Sequence, residues 1–321
     1  MANIVRQARP MAGAQTSGIR ELAARHLRRW NWGILLVVPY VIAVSVFSLG
    51  PALVALVFSF SEFTGGRPQL FVAGLNNYIA VFTDKQFLSS YWNVIRFSLV
   101  ATTSGFVGSV GVALLLSLTR DTIGGIARSV FFLPGSINGP ALALMFLFML
   151  DPSISPFSRI FHLLGWEKLT DFVTASTAIQ VMAVIRFYLM SGGWIAIFYA
   201  ALESVSIELI EAAKIDGCGP WRLAWDIRRP AIMGFVWFMV IQLIANNLMI
   251  FSEPYLIATA LGGASFIGPF WSPNMVGAYY TLNLGDFGMS SVVAISQIII
   301  TFASSVFIVT KTGAFITEVT N

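Results

Sequence analysis

The segment that decides the reading runs Glu203-Ser-Val-Ser-Ile-Glu-Leu-Ile-Glu211-Ala212-Ala213-Lys-Ile-Asp216-Gly217-Cys-Gly-Pro-Trp221-Arg-Leu-Ala-Trp225-Asp-Ile227-Arg-Arg-Pro230. Ser206 is suited to cap a helix, because its hydroxyl can accept from a free backbone N–H of the first turn. Ile207, Ile210 and Ala213, with Leu209 one residue off period, form the apolar side of that helix. Glu208, Glu211 and Lys214 form its polar side. Gly217 and Gly219-Pro220 then break it. A second helical piece follows, with Trp221, Leu223, Ala224, Trp225 and Ile227 as its apolar residues, and Pro230 marks the entry to the next apolar stretch. Two short helices bent at a glycine make a rigid knob, which transmits force or fits a cleft in a partner.

On both sides of this knob the chain is built for lipid. Of its 321 residues 57% are hydrophobic and 11% charged, with mean hydropathy +0.79. A soluble domain has about 25% charged residues. A bilayer core of about 30 Å needs roughly 20 apolar residues in a helix. Six stretches satisfy that: Gly33–Phe60, Ile95–Thr119, Ser129–Leu150, Thr177–Leu202, Ile232–Ala258 and Met289–Thr310. Pro39, Pro51 and Pro140 lie within or near them, as membrane helices tolerate. The expectation is an all-α integral membrane protein with six transmembrane helices and the knob between the fourth and fifth.

The distribution of basic residues orients these spans. Arg6, Arg9, Arg20, Arg25, Arg28 and Arg29 stand before the first span. Arg120 and Arg128 follow the second, Lys214, Arg222, Arg228 and Arg229 follow the fourth, and Lys311 closes the last. The alternate connections are poorer, and residues 259–288 contain no Lys or Arg. Both termini and the knob are therefore expected in the cytoplasm. The layout is a basic N-terminal tail over 1–32, a six-helix domain over 33–312 with the knob at about 203–230, and a C-terminal tail over 313–321. The net charge of +4 follows this membrane rule, so nucleic acid is not an expected partner; the bilayer is. No cleavable signal peptide is expected. Segments 61–92 and 151–175 read as short helices on the outer surface, and 259–288, rich in Gly, Pro and aromatics, as a lid, a docking loop or an ordinary outer loop.

The order Glu-Ala-Ala, three residues, Gly, nine residues, Ile, two residues, Pro resembles the EAA signature of binding-protein-dependent ABC importer permeases. Here the positions are Glu211, Ala212, Ala213, Gly217, Ile227 and Pro230, with Asp216 before the glycine. Gly74-Leu-Asn-Asn-Tyr78, Arg128-Ser-Val-Phe-Phe-Leu-Pro134 and Phe287-Gly288 resemble the maltose and glycerol-phosphate branch. The likeness covers about residues 35–312. The chain departs from it at Val205-Ser206 (usually Ile-Pro), Cys218 (usually small) and Arg229 (usually Leu). The resemblance implies that the knob is a coupling helix docked in a cleft of a separate ATPase, with Glu211 facing that subunit. Ala212 and Ala213 would allow close approach and Gly217 the sharp turn. It further implies two ATPase subunits, a second homologous permease subunit, an extracytoplasmic solute-binding protein, and a bacterial or archaeal inner membrane.

The chain has no G-x-x-x-x-G-K-[ST] phosphate loop and no H-E-x-x-H, and Cys218 is its one cysteine. It is therefore expected to be no enzyme and to carry no cofactor or metal, with ATP and Mg held by the partners. Polar residues at membrane depth are costly and mark solute paths or helix contacts. Arg186 lies inside the fourth span. Gln242, Asn246, Asn247, Ser252 and Glu253 lie along the fifth, and Gln297 in the sixth. Gln242 and Asn246, one turn apart, share a face. By the resemblance, Arg186 and Asn247 fall where similar permeases contact solute, with Leu189 and Met190 beside Arg186. Hydrogen bonding between helices would satisfy the same groups, and a salt bridge from Arg186 to Glu253 is conceivable. An arginine there can serve either a neutral sugar or an anion. The expected function is inward transport of a sugar or sugar-like solute by alternating access. The alternatives are an anionic solute, such as a glycerol phosphodiester or acidic sugar, and an ATP-independent secondary transporter.

Overall fold

The computed structural model describes residues 35–64, 67–118, 121–137, 139–262 and 267–312. The basic tail at 1–32, Arg120 and the tail at 313–321 lie outside the described residues. The described chain divides into two units, the first ending at Leu56 and the second beginning at Val57. The first unit is part of one helix, α1 (Leu35–Ser59), which contains no charged residue. A π-helical turn at Ser45–Leu49 precedes Gly50-Pro51. Pro51 cannot donate to a carbonyl four residues back and its ring crowds that carbonyl, so a widened turn ahead of it relieves the clash.

In the second unit a small hairpin, β1 (Glu62–Thr64) and β2 (Arg67–Gln69), pairs antiparallel with Phe63 opposite Pro68. It amends the all-α expectation; three-residue strands are too short to register as alternation. Next come α2 (Asn76–Thr83) and α3 (Lys85–Ser117). At 1.5 Å per residue the 33 residues of α3 span about 50 Å, more than a bilayer core. The helix therefore begins ten residues before the expected Ile95, with Asp84 capping it through Gln86 N at 2.8 Å.

The expected continuous span Ser129–Leu150 is instead two helices, α4 (Asp121–Phe132) and α5 (Gly139–Leu150), separated by a 3-10 turn at Leu133–Ser136. Residues 124–136 and 139–150 meet at 106°. Pro134 and Pro140 each remove a backbone donor, and Gly135 and Gly139 add freedom, so the ladder does not continue. Among the described residues five helices are long and apolar enough to cross a membrane, or six if this bent pair is one span.

Two short helices, α6 (Ser158–Leu163) and α7 (Leu169–Phe172), follow within 151–175. The backbone amides of Lys168 and Glu167 hold the Asp171 carboxyl below the usual range. Then come α8 (Ala178–Glu203), α9 (Ile207–Ile215) and α10 (Pro220–Leu248). The expected fifth span, Ile232–Ala258, is corrected at both ends. It begins at Pro220, because a π-helical turn at Leu223–Arg228 carries the helix past Pro230. It stops at Leu248, and α11 (Ser252–Ala260) starts anew. Pro254 sits in the first turn of α11, where a missing N–H is harmless, whereas one long helix would place its ring against the carbonyl of Ile250.

The part of 259–288 around Trp271 to Tyr280 is packed. Ser272 caps α12 (Pro273–Leu284) through Met275 N, and Trp271, Met275, Val276 and Tyr280 are buried. The Tyr280 hydroxyl donates to Asp84 Oδ2 at 2.6 Å; burial and that carboxylate push the phenol up. The last helix is α13 (Phe287–Thr312).

The core runs along α8, packed between α3, α4 and α10. Small residues let the backbones approach, the usual device in lipid, where burying apolar surface gives little drive. A Cβ at Gly108 would come within 2.4 Å of the Phe187 ring, and one at Gly192 within 2.0 Å of the Phe131 carbonyl oxygen. One apolar cluster, with Phe97, Met182, Ile185, Ile257 and Trp271, fills the Ala178 end of α8. Another, with Phe198, Leu202, Ile232 and Met239, fills the Glu203 end.

Candidate functional site

Arg186 projects from α8 toward the gap between α10 and α11. Its Nε donates to Asn247 Oδ1 at 3.2 Å, its NH2 group to the Asn246 carbonyl at 3.0 Å, and its NH1 group to Glu253 Oε1 at 2.5 Å. The Asn247 amide donates on to Thr102 Oγ1 of α3 at 3.2 Å. One guanidinium thus ties together α8, both sides of the helix break, and α3. The break makes this possible. A continuous helix would keep the Asn246 carbonyl on its own ladder, whereas the interruption frees it and puts the Glu253 carboxylate in the first turn of α11. A negative charge is favoured there by the helix dipole. The Arg186 side chain is 16% exposed and that of Glu253 4%.

The other expected pathway residues divide. Met190 joins Arg186 in lining a cavity of ≈ 10 Å³, together with Ser109, Ser191, Trp194 and Leu243. That is room for about one water. Asn247 is fully buried and meets its partners inside the chain. Asn246 reaches Arg186 with its backbone carbonyl, while its side chain donates to the Gln242 carbonyl at 2.8 Å. Gln242 is exposed and does not join the cluster. Leu189 packs into the apolar cluster at the Ala178 end. Ser252 is half-buried beside Glu253. Gln297 is buried on α13 with neither amide atom hydrogen-bonded. Sequence reasoning missed Thr102, Ser109 and Ser191. Their hydroxyls lie inside apolar helices and differ little from the serines and threonines that bond their own backbone.

The second feature is the segment between α8 and α10. Ser206 Oγ accepts from Leu209 N at 3.4 Å, the cap read from sequence. Helix α9 ends with Cys218 N donating to the Ala213 carbonyl at 2.9 Å and Gly217 N to that of Lys214 at 3.1 Å. This closure requires the left-handed residue that Gly217 supplies at φ 79°. Pro220 opens α10 at a position where its missing N–H is harmless. Of the five apolar residues expected on the second piece, Leu223 and Ala224 are buried and Ile227 half-buried, while Trp221 and Trp225 are exposed. The Arg229 guanidinium lies 4.4 Å from the Trp225 ring centre, and Arg228 donates to the Ser117 carbonyl at the end of α3. Glu211, Ala212 and Asp216 are exposed, and Ala213 is half-buried. Glu203, Glu208, Glu211, Lys214 and Arg228 line a groove of ≈ 530 Å³. Nothing in α9 is buried; Ile207, Leu209 and Ile215 are 66%, 52% and 86% exposed.

No family model matches the chain. It is 30% identical over 252 residues to the sn-glycerol-3-phosphate transport system permease protein UgpA of Escherichia coli O157:H7, covering 75% of this chain and 81% of that protein. The UgpA of Salmonella typhimurium matches to the same extent. Among solved structures, a bacterial ABC transporter involved in importing the acidic polysaccharide alginate superposes with a TM-score of 0.77 at 16% identity, over 93% of this chain and 100% of that one. A bacterial alginate ABC transporter in complex with an alginate pentasaccharide-bound periplasmic protein gives 0.75 at 14%, over 88% and 94%. The chain belongs to the permease subunits of binding-protein-dependent ABC importers, in the maltose and glycerol-phosphate branch. It is a multi-pass membrane protein with a transport role rather than an enzymatic one, and the secondary-transporter alternative falls with this assignment.

Proposed function

We propose that this chain forms one half of a solute pathway in an inner membrane and moves a sugar or sugar-like solute inward by alternating access. A second, homologous permease subunit completes the pathway. Two ATPase subunits bind ATP and Mg, and an extracytoplasmic binding protein delivers solute. The bent pair α4–α5 counts as the third of six spans, and the basic residues put both termini and the 203–230 segment in the cytoplasm.

The observation that carries the reading is the α9 knob. Its apolar and acidic side chains stand uncovered while Gly217 and Pro220 fix its shape, as suits a surface completed by another protein. Glu211, Ala212, Ala213, Asp216 and Gly217 form the part that docks, and Ile227 and Pro230 join it to α10. Closure of the ATPases on ATP would move the knob. That displacement passes into α10 directly and into α3 through Arg228 and Ser117. It ends at the Arg186 cluster, which holds both helices to α8. The named solutes of the relatives, glycerol 3-phosphate and alginate, are anionic and supply the second reading, an anionic solute moved by the same mechanism.

The test is co-purification. ATPase subunits are expected to travel with the wild-type chain and to be lost from Glu211→Lys, with the permease still folded. Retention of the ATPases by that variant would remove Glu211 from the docking surface. Solute movement by the purified chain without an ATPase would overturn the whole proposal.

A further inference from the structure

We infer that Glu253 sets the charge selectivity of the pathway, so that the solute passing Arg186 is a neutral polyhydroxylated compound and not an anion. The inference rests on the reading that Arg186 lies in the pathway.

A guanidinium at membrane depth needs a counter-charge. Where the cargo is an anion, the cargo can supply it; here the chain supplies it. Glu253 Oε1 lies 2.5 Å from the NH1 group, and the carboxylate is 4% exposed. Of the five guanidinium N–H groups, one on Nε is given to Asn247, one on NH1 to Glu253 and one on NH2 to the Asn246 carbonyl. One N–H remains on each terminal nitrogen, enough to donate to two hydroxyl oxygens. The cluster as a whole has no net charge. An incoming carboxylate or phosphate would meet a second negative group beside the same cation, or would displace Glu253 and leave it buried and unpaired. Either route weakens binding on the order of a hundredfold relative to a free arginine.

The cavity beside Arg186 fits the same chemistry. Ser109 and Ser191, each less than 4% exposed, present hydroxyls with no hydrogen-bond partner. A hydroxyl both donates and accepts, so one entering this space, which has room for about one oxygen, can bond a serine in either direction, whereas an ionised oxygen only accepts. Trp194 lines the cavity with an amphipathic ring. Among the described residues lining the cavity, none besides Arg186 is ionisable.

The test uses the whole importer, purified through a tag on this chain, and reads its thermal midpoint in inorganic phosphate against chloride at equal ionic strength. The R186Q/E253Q double variant, which removes both charges together, sets the background from phosphate bound by the ATPases. The wild type is expected to match that background, and Glu253→Gln to gain a further rise. A wild type that rises above the background overturns the proposal. So does an E253Q complex that does not rise, since there is then no anion affinity for Glu253 to mask. If E253Q does not assemble, the wild type against the double variant decides. ATP hydrolysis by the wild-type complex is read in parallel with neutral oligosaccharides, oligouronates and glycerol 3-phosphate; stimulation by an anionic member also overturns the proposal. The underlying reading fails separately, by normal uptake in the double variant.

Discussion

Arg186 and Glu211 are both charged residues on helices of a strongly apolar chain, and their surroundings are opposite. Arg186 spends three N–H groups on partners within its own chain, and its counter-ion is more deeply buried than it is. Glu211 stands on a helix with no buried residue, beside Ile207 and Ile215 that are left to solvent. The charge of the first region is balanced within its own chain, whereas on the proposed function the second is covered by another protein. In lipid an unpaired charge is expensive, so the counter-charge of Arg186 comes from the same chain. In water an uncovered apolar side chain is tolerable until a partner covers it.

The sharpest way to break this comparison is at the cluster. Glu253→Ala leaves a buried guanidinium without its carboxylate, and removing one member of a buried pair costs about 3–5 kcal/mol. A marked loss of thermal stability and of membrane-inserted yield is expected, measured by fluorescence-detected size exclusion. The charge-balanced R186Q/E253Q should recover most of it. Equal losses in both would show that the pair does not hold α8 to the α10–α11 break.

A middle-sized effect is expected at the joint of the knob. Gly217→Ala puts a Cβ on a residue at φ 79°, which costs about 1–2 kcal/mol. The joint is at the surface, so the strain should appear as faster hydrogen exchange over residues 207–228 and weaker solute-driven ATP hydrolysis. Exchange at 178–195 should not change. A change there would mean that the knob and the cluster are one cooperative unit, against the contrast drawn above.

The two regions also differ in how far sequence discloses them. The knob is local: cap, amphipathic turn, glycine and proline all lie within 28 consecutive residues of 203–230. The cap is seen in the hydrogen bond at Ser206 and the turn at Gly217, whereas the second piece runs on into α10 and the apolar side of α9 is uncovered. The cluster is not local. Arg186, Asn247 and Glu253 could be flagged as polar residues in apolar helices, and their ion pair anticipated. Two things could not be read, however. The break at Met249–Phe251 decides which groups face Arg186, and its cause, Pro254, lies beyond it. The partner Thr102 comes from a helix 84 residues away in sequence (186 − 102). The 106° bend between α4 and α5 was missed for a related reason: hydropathy sees one apolar run through Pro134 and Pro140, whereas the backbone sees two lost donors. Gln242 and Asn246 lie one turn apart, yet Gln242 is exposed and Asn246 joins the cluster through its backbone carbonyl rather than its amide, which side-chain spacing does not disclose.

The smallest effect on the chain itself should come from the uncovered side chains of the knob, and here the contrast is most exposed to refutation. Ile215 is 86% exposed and Trp221 73% exposed, so Ile215→Ser and Trp221→Ser remove almost no packing within this chain. Surface substitutions of that kind change stability by about 0.5 kcal/mol or less. Yet if both side chains enter the ATPase interface, as exposed aromatic and aliphatic groups at contact centres do, each should weaken ATPase retention by about tenfold or more. Unchanged thermal midpoint of the isolated permease, together with lost ATPase on washing, is the expected pair of results. A large drop in the midpoint with the ATPase retained would mean that these residues pack inside the permease, and the contrast with the cluster would fail.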